Sequence, residues 1–137
     1  MTEFNFEEYV NHLEFLGYDL KKDEYKGETQ YLAIHPVYGG IAVIEFMGGI
    51  KFHTEYDANE QTQNKDKIPD LLKAINDLNK KSWVSAYHLI DDGSIRKVAF
   101  YLGAYNKKSF DSFIQAWIWD TKIRMDHKDF SSFIPVE

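Results

Sequence analysis

Residues 68–102 read IPDLLKAINDLNKKSWVSAYHLIDDGSIRKVAFYL, and this stretch decides the fold. Pro69 stands in the first turn of a helix, where a proline loses no hydrogen bond that the helix needs. Apolar residues then recur at helical spacing and form one stripe: Ile68, Leu71, Leu72, Ile75 and Leu78. We therefore predict a helix that begins at Ile68 and ends near Asn79.

Two strands follow this helix, at residues 83–90 and 95–104, and Gly93 supplies the positive φ that their turn requires. We place one set of side chains toward the helices: Trp83, Ser85, Tyr87, Leu89, Val98, Phe100 and Leu102. The reverse face then carries the alternate residues: Val84, Ala86, His88, Ile90, Ile95, Lys97, Ala99 and Tyr101. Because this reverse face is too apolar for an ordinary wet surface, it is our first candidate for an interface.

The first half of the chain predicts one helix and three strands. The helix covers residues 6–16, with Asn5 and Glu8 as a capping box and Gly17 as its stop. The strands cover residues 29–35, 41–46 and 50–56. Part of residues 18–28 can extend an edge strand, and residues 57–65 form a polar loop that we expect to be mobile.

The hairpin between residues 41 and 56 has a register that charge pairing favours. A three-residue loop places Phe46 opposite Ile50 and Glu45 opposite Lys51, which separates apolar from charged pairs. A two-residue loop separates them less well. We therefore expect the three-residue loop.

The last helix begins near Asn106 or Ser109, both good capping residues. Its apolar stripe comprises Phe110, Phe113, Ile114, Trp117, Ile118 and Thr121. Trp119 lies off the stripe, so we expect one of the two tryptophans in the core and the other free to anchor a partner. Residues 126–137 contain Phe130 and Phe133, and we expect them to pack as an irregular strap.

The element order is therefore α-β-β-β-α-β-β-α. Short connections make the strands mainly antiparallel, and the apolar stripes of the helices need one sheet face to cover. We predict one α+β domain over residues 1–137, with a five-stranded, mainly antiparallel sheet and three helices.

Composition excludes several classes of function. The 137 residues carry a formal net charge of −6, which argues against a nucleic-acid groove because phosphates need clustered lysines and arginines. The chain has no cysteine, which removes disulfides and Cys-ligated zinc. The N-terminal residues are acidic, unlike a secretory signal, and no apolar run is long enough to span a membrane. We expect a cytoplasmic protein that binds neither nucleic acid nor membrane.

Motifs for chemistry are missing from the sequence. None of the five histidines forms a ligand pair at metal-binding spacing, so no metal site is predicted. The carboxylate pairs have structural causes, since Glu7 and Glu8 fit a helix start and Asp91 and Asp92 fit a turn. No nucleophile elbow or phosphate loop occurs. We therefore predict no catalytic residue, no cofactor and no enzyme.

Residues 68–102 resemble the YbjN-like family and, beyond it, the type III secretion chaperone-like fold. The resemblance consists of a helix that ends at Leu78 and Asn79, a strand, the turn at Asp92 and Gly93, and a strand that ends near Leu102. The N-terminal YVNHLEFLGYDL is similar to the first helix of that family. The resemblance implies an α+β domain whose relatives are often dimers and bind polypeptides without catalysis.

Three functions remain open at this point. The leading hypothesis is a bacterial protein-binding module, chaperone- or regulator-like, that binds a protein partner or forms a homodimer. Its partner-binding residues are predicted to be Val84, His88, Ile90, Ala99, Tyr101 and Trp119. The second is an immunity-type protein that neutralises a basic toxin, since acidic surfaces steer basic partners. The third is a small-ligand binder with a pocket near His88, Tyr101 or His53.

Overall fold

The computed structural model describes residues 4–57 and 60–134. Its helices are α1 (Glu7–Phe15), α2 (Glu60–Gln63), α3 (Ile68–Lys81), α4 (Lys107–Asp126) and α5 (Lys128–Ser131). Its strands are β1 (Asp19–Tyr25), β2 (Glu28–His35), β3 (Gly39–Phe46), β4 (Gly49–Tyr56), β5 (Ala86–Leu89) and β6 (Ile95–Tyr101). The strands form one six-stranded sheet in the order β1-β2-β3-β4-β6-β5. The predicted α+β class with an antiparallel sheet is confirmed.

The prediction of five strands was one short, because β1 adds a sixth strand at the edge of the sheet. Lys26 and Gly27 both have positive φ, at 53° and 79°, which gives the tight turn that folds β1 onto β2. Leu20 pairs with Ala33 in this hairpin. The predicted count of three helices also changes, because α2 and α5 are additional single-turn helices of four residues each.

The described residues fall into two compact units. Unit 1 contains the described part of Met1–Thr54 together with Ala99–Ile114. Unit 2 contains the described part of Glu55–Val98 and Gln115–Glu137. The single domain over residues 1–137 stays a prediction, and the two units are described in turn.

The core of unit 1 is aromatic. Tyr9 and Leu13 of α1 are buried, as are Phe52 of β4 and Phe110 of α4. The ring of Phe110 lies 5.0 Å from that of Tyr9 and 5.3 Å from that of Tyr101. Edge-to-face pairs of this kind add to the burial of apolar area. The face of α1 that carries Tyr9 and Leu13 is therefore the face that packs.

The predicted register of the β3–β4 hairpin was wrong. Phe46 pairs with Gly49 and Glu45 pairs with Ile50, so Glu45 does not face Lys51. The loop has two residues, Met47 and Gly48, with φ of 49° and 81°. Two successive residues with positive φ form the turn that matches the right-handed twist of a hairpin. Turn geometry outweighs the gain from one cross-strand ion pair.

Replacing Gly49 by alanine is expected to lower the free energy of unfolding by about 1–3 kcal/mol. Gly49 is buried, and a Cβ there would meet the carbonyl oxygen of Tyr101 and lie 3.0 Å from Leu102 Cα. Urea unfolding followed by circular dichroism measures the loss. Gly40→Ala is the matched control in the same sheet, because its nearest neighbour would be the Ala33 carbonyl oxygen at 3.9 Å. Equal stability of the two variants would contradict the packing described at Gly49.

Unit 2 packs α3 against β5, β6 and α5. Its core cluster comprises Leu71, Ala74, Ile75, Leu78, Tyr87, Ile95, Phe130 and Phe133. The helix predicted from residue 68 is confirmed, and it extends to Lys81. The strap expected at residues 126–137 is instead the short helix α5 over part of its described length, with Phe130 fully buried.

The predicted faces of the β5–β6 hairpin were wrong by one residue on β6. Tyr87 pairs with Lys97 and Ala86 pairs with Val98, so Tyr87 shares its face with Lys97 rather than with Val98. Ile95, Lys97 and Ala99 are buried, whereas Phe100 is exposed. The reverse face therefore does not carry Ile95, Lys97 and Ala99, because these residues pack inside the chain.

Candidate binding surface

Asp120 of α4 organises the segment between α3 and β5. Its carboxylate is fully buried and accepts hydrogen bonds from three consecutive backbone N–H groups. The donors are Trp83 at 2.7 Å, Val84 at 3.0 Å and Ser85 at 2.9 Å. Successive N–H groups aimed at one carboxylate satisfy a buried charge with strong, charge-assisted bonds. The bonds to Asp120 also explain why β5 begins at Ala86 and not at Trp83.

The same segment presents tryptophan to solvent. Trp83 is 69% exposed, Trp119 is 47% exposed and Val84 is 36% exposed. The two indole rings lie 5.6 Å apart, tilted by 41°. We name Trp83, Val84 and Trp119 the tryptophan patch. Large aromatic side chains gain most from burial, so a fixed and exposed pair is typical of a binding surface.

Lys97 belongs to the interior of unit 2. It is 1% exposed, and its Nζ donates a hydrogen bond to Thr121 Oγ1 at 2.8 Å and lies 3.9 Å from the centroid of the Trp117 ring. The Thr121 hydroxyl in turn donates to the Trp117 carbonyl. Burial lowers the pKa of Lys97 to about 7, which the negative charge of Asp120 opposes and the positive charge of Arg124 reinforces.

Trp117, Asp120 and Thr121 lie three and four residues apart on α4, so they share one helix face. The interior of unit 2 therefore places a carboxylate, an ammonium group and a hydroxyl close to the segment that carries Trp83. This arrangement serves to hold backbone and side chains in place.

Of the predicted partner-binding residues, two belong to the tryptophan patch. The Val84 backbone N–H donates to Asp120 Oδ2, and the Trp119 ring lies 5.6 Å from that of Trp83. Ala99 is buried, so its predicted exposure was wrong. His88 is exposed. Ile90 is half-buried, and its N–H donates to the Ser94 carbonyl at 2.8 Å. Tyr101 is half-buried on the core side of unit 1, 6.2 Å from Tyr9 between ring centroids.

Trp83 and Asp120 are the residues that sequence reasoning missed. Strand alternation placed Trp83 toward the helices, whereas its ring is largely exposed. The available signal was Asp120 itself, which lies three residues after Trp117 and next to Thr121 of the apolar stripe, because an aspartate that is buried beside such a stripe needs donors. The prediction that one tryptophan of α4 lies in the core and the other does not is confirmed, because Trp117 is buried and Trp119 is exposed.

Among the described residues, two of the cavities each lie within a single unit. A cleft of about 810 Å³ in unit 2 lies between α3 and α5, and Phe133 and His127 are among its lining residues. A groove of about 630 Å³ in unit 1 includes Phe15 and Tyr105. Neither of these two cavities is lined by His53, His88 or Tyr101, where a ligand pocket was predicted.

A hydrogen-bonded chain lies beside the groove of unit 1. His12 is buried, with Nδ1 2.8 Å from the Tyr105 hydroxyl and Nε2 3.2 Å from Asp111 Oδ1. Burial raises the pKa of the Tyr105 hydroxyl, and the charge of Glu8 raises it further. The hydrogen bonds of His12 connect α1 with Tyr105 and with Asp111 of α4.

A scan of protein-family models finds no match for this chain, and a comparison with curated proteins finds none either. The resemblance to the YbjN-like family therefore stays a prediction that rests on the element order and the turn at Asp92 and Gly93. Within residues 4–57 and 60–134, no group of three metal-ligating side chains is placed to hold an ion. In the same ranges, no helix combines the length and apolar character that crossing a membrane requires.

Proposed function

We propose that the chain is a non-catalytic protein-binding module, chaperone- or regulator-like, and that the tryptophan patch anchors its partner. The observation that carries the proposal is the buried carboxylate of Asp120. It accepts hydrogen bonds from the backbone N–H groups of Trp83 and Val84, while the side chains of these two residues are exposed to solvent. Burying a charge costs free energy, and that cost is offset here by three backbone hydrogen bonds. The interior of unit 2 thus fixes an apolar surface in place and does not cover it.

Preorganisation raises the value of such a surface. A segment whose backbone is already held by hydrogen bonds loses less conformational entropy when a partner covers its side chains. Tryptophan is also the residue most enriched among those that dominate binding energy at interfaces. The tilted pair of Trp83 and Trp119 leaves ring faces and edges free for a second pair of aromatic groups.

The partner that we propose first is a second copy of the chain. In a two-fold homodimer the same patch meets itself, so Trp83 and Trp119 of one copy can pack on those of the other. The aromatic surface is self-complementary because offset and edge-to-face pairs are both favourable. Homodimerisation agrees with what the resemblance implies about relatives.

The immunity-type function is the alternative, supported by the net charge of −6. The tryptophan patch does not favour it, because the nearest charged residues along the chain before Trp83 are Lys80 and Lys81. A basic toxin would meet cations there, apart from the ion pair that Lys81 makes with Asp77 at 3.1 Å. Tight binding of one cationic protein, weakened strongly by salt, would favour the alternative over the homodimer.

Replacing Trp83 and Trp119 by alanine is expected to raise the dimer dissociation constant by roughly thirty-fold or more. The reason is that both rings lose the area that the second copy covers. Light scattering coupled to size-exclusion chromatography, over a range of loading concentrations, measures the change in mass. Far-ultraviolet circular dichroism checks that the variant remains folded.

The matched control is Val37→Ala, which truncates an exposed apolar side chain of unit 1 and should leave the dissociation constant unchanged. A wild-type protein that is monomeric at every concentration would contradict the homodimer. Equal dissociation constants for the wild type and the double alanine variant would contradict the role of the patch.

A further inference from the structure

His127 joins three elements of unit 2. It precedes α5 directly, follows α4 and faces Asp77 on α3. Its Nδ1 accepts a hydrogen bond from the Phe130 backbone N–H at 3.1 Å, which makes it the N-terminal cap of α5. Its Nε2 lies 2.8 Å from Asp77 Oδ2.

These two contacts determine the tautomer. A ring nitrogen that accepts a hydrogen bond carries no proton, so the neutral ring has its proton on Nε2 and donates it to Asp77. The hydrogen bond from His127 and a second one from Lys81 lower the pKa of the Asp77 carboxyl. The carboxylate is therefore an acceptor throughout the neutral range of pH.

The helix that His127 caps carries the most buried aromatic residue of the C-terminal segment. Phe130 is fully buried, with its ring centroid 5.6 Å from that of Tyr87 and 6.2 Å from that of Tyr56. Phe133 follows in the same core cluster. Four residues of helix are too few to be stable alone, so α5 depends on its cap and on these contacts.

We propose that His127 is a pH-sensitive latch for α5. Protonation of Nδ1 converts the acceptor into a donor, so the Phe130 N–H loses its partner and the first turn of α5 loosens. The Nε2–H bond to Asp77 survives protonation, because the carboxylate stabilises the imidazolium ion. The ring therefore stays hydrogen-bonded to Asp77 on α3 while the helix that follows it is released. The pH range of interest is 5 to 8, in which histidine side chains as a class titrate.

The charged residues around the imidazole ring of His127 act on the protonation of that ring. Those on α3 that line the cleft or contact Asp77 are Asp70, Lys73, Asp77, Lys80 and Lys81. Those on α4 and α5 next to His127 in the chain are Arg124, Asp126, Lys128 and Asp129. The carboxylate of Asp77 lies at hydrogen-bond distance from Nε2.

Nuclear magnetic resonance of the ¹⁵N-labelled full chain tests the latch. The ring nitrogens of His127 should show the Nε2–H tautomer at pH 8. As the pH falls, the Phe130 amide should lose its hydrogen-bonded shift with the same midpoint as the ring. Its exchange protection, corrected for the intrinsic pH dependence, should fall on the order of ten-fold. An Nδ1–H tautomer at pH 8 would overturn the proposal. A Phe130 amide whose shift and exchange protection do not change as the ring is protonated would overturn it as well.

Two variants separate the latch from other effects of pH. His127→Asn keeps a capping oxygen but cannot titrate, so its Phe130 amide should stay protected from pH 8 to 5. Asp77→Asn removes the charge that stabilises the imidazolium ion, so the transition should move to lower pH. A wild-type transition that persists unchanged in both variants would refute the assignment to His127.

Discussion

Replacing Asp120 by alanine is expected to lower the free energy of unfolding by about 3–5 kcal/mol. The substitution leaves the backbone N–H groups of Trp83, Val84 and Ser85 without their acceptor. It also removes the negative charge that supports the buried ammonium group of Lys97. Unsatisfied buried donors and an uncompensated buried cation are among the most destabilising defects in a protein. Urea unfolding followed by fluorescence and circular dichroism measures the loss.

Asp126→Ala is the matched control, because Asp126 lies on the same helix and is exposed. Its effect should stay within about 0.5 kcal/mol. The loss of unfolding free energy in Asp120→Asn should lie between those of the two alanine variants. The amide keeps one oxygen acceptor, but its NH₂ group is a donor placed next to backbone N–H donors. If Asp120→Ala unfolds at the same urea concentration as Asp126→Ala, the carboxylate does not hold the segment as described.

Replacing Lys97 by methionine is expected to make the protein more stable relative to the wild type at pH 6 than at pH 10, by roughly 2–4 kcal/mol. Burial lowers the pKa of Lys97 from 10.5 to about 7, so the unfolded chain binds a proton that the folded chain resists. The wild type therefore bears the full cost of the buried charge below pH 7. That cost shrinks as pH rises from 7 to about 10.5, because the folded lysine is then neutral and the proton that it must release on folding is lost more easily at higher pH. The advantage of Lys97→Met should shrink over the same range.

Unfolding free energies of the wild type and Lys97→Met at pH 6, 8 and 10 test this dependence. Lys80→Met is the control, because Lys80 is exposed at the end of α3 and should give a difference that does not vary with pH. An advantage of Lys97→Met that grows with pH would show that the charged form of Lys97 stabilises the fold.

Lys97 also explains why the hairpin faces were predicted wrongly. A lysine is almost never fully buried unless it is paired, so its presence argued that the face of Ile95 and Ala99 was exposed. Its partners Thr121 and Trp117 lie on α4, far along the chain. Local alternation contains no information about such a partner. The same holds for Trp83, whose backbone is bound by Asp120.

The features that local physics dominates were predicted correctly. The stripe from Ile68 to Leu78 needs only the period of a helix and a proline at its start, and α3 follows it closely. The core stripe of α4 is of the same kind, with Phe110, Phe113 and Trp117 all buried. The strand β1 was predicted only as a possible edge strand, because an edge strand with one solvent-exposed face lacks a clear apolar pattern.

The residues of the candidate binding surface also divide into those that a local pattern predicts and those that depend on a distant residue. Val84 and Trp119 could be proposed from composition and helix position, since each stood outside a core stripe. Trp83 could not, because its exposure depends on three hydrogen bonds to one residue of another element. A buried acid on an apolar helix face is the signal that reasoning of this kind should weigh more heavily.

Cross-saturation between copies tests the proposed homodimer most directly. Deuterated, ¹⁵N-labelled protein is mixed with unlabelled protein, the unlabelled aliphatic protons are saturated, and the three tryptophan indole N–H signals are compared. The proposal predicts that the indole signals of Trp83 and Trp119 lose intensity while that of the buried Trp117 does not. Full intensity at Trp83 and Trp119, with losses elsewhere or nowhere, would contradict it.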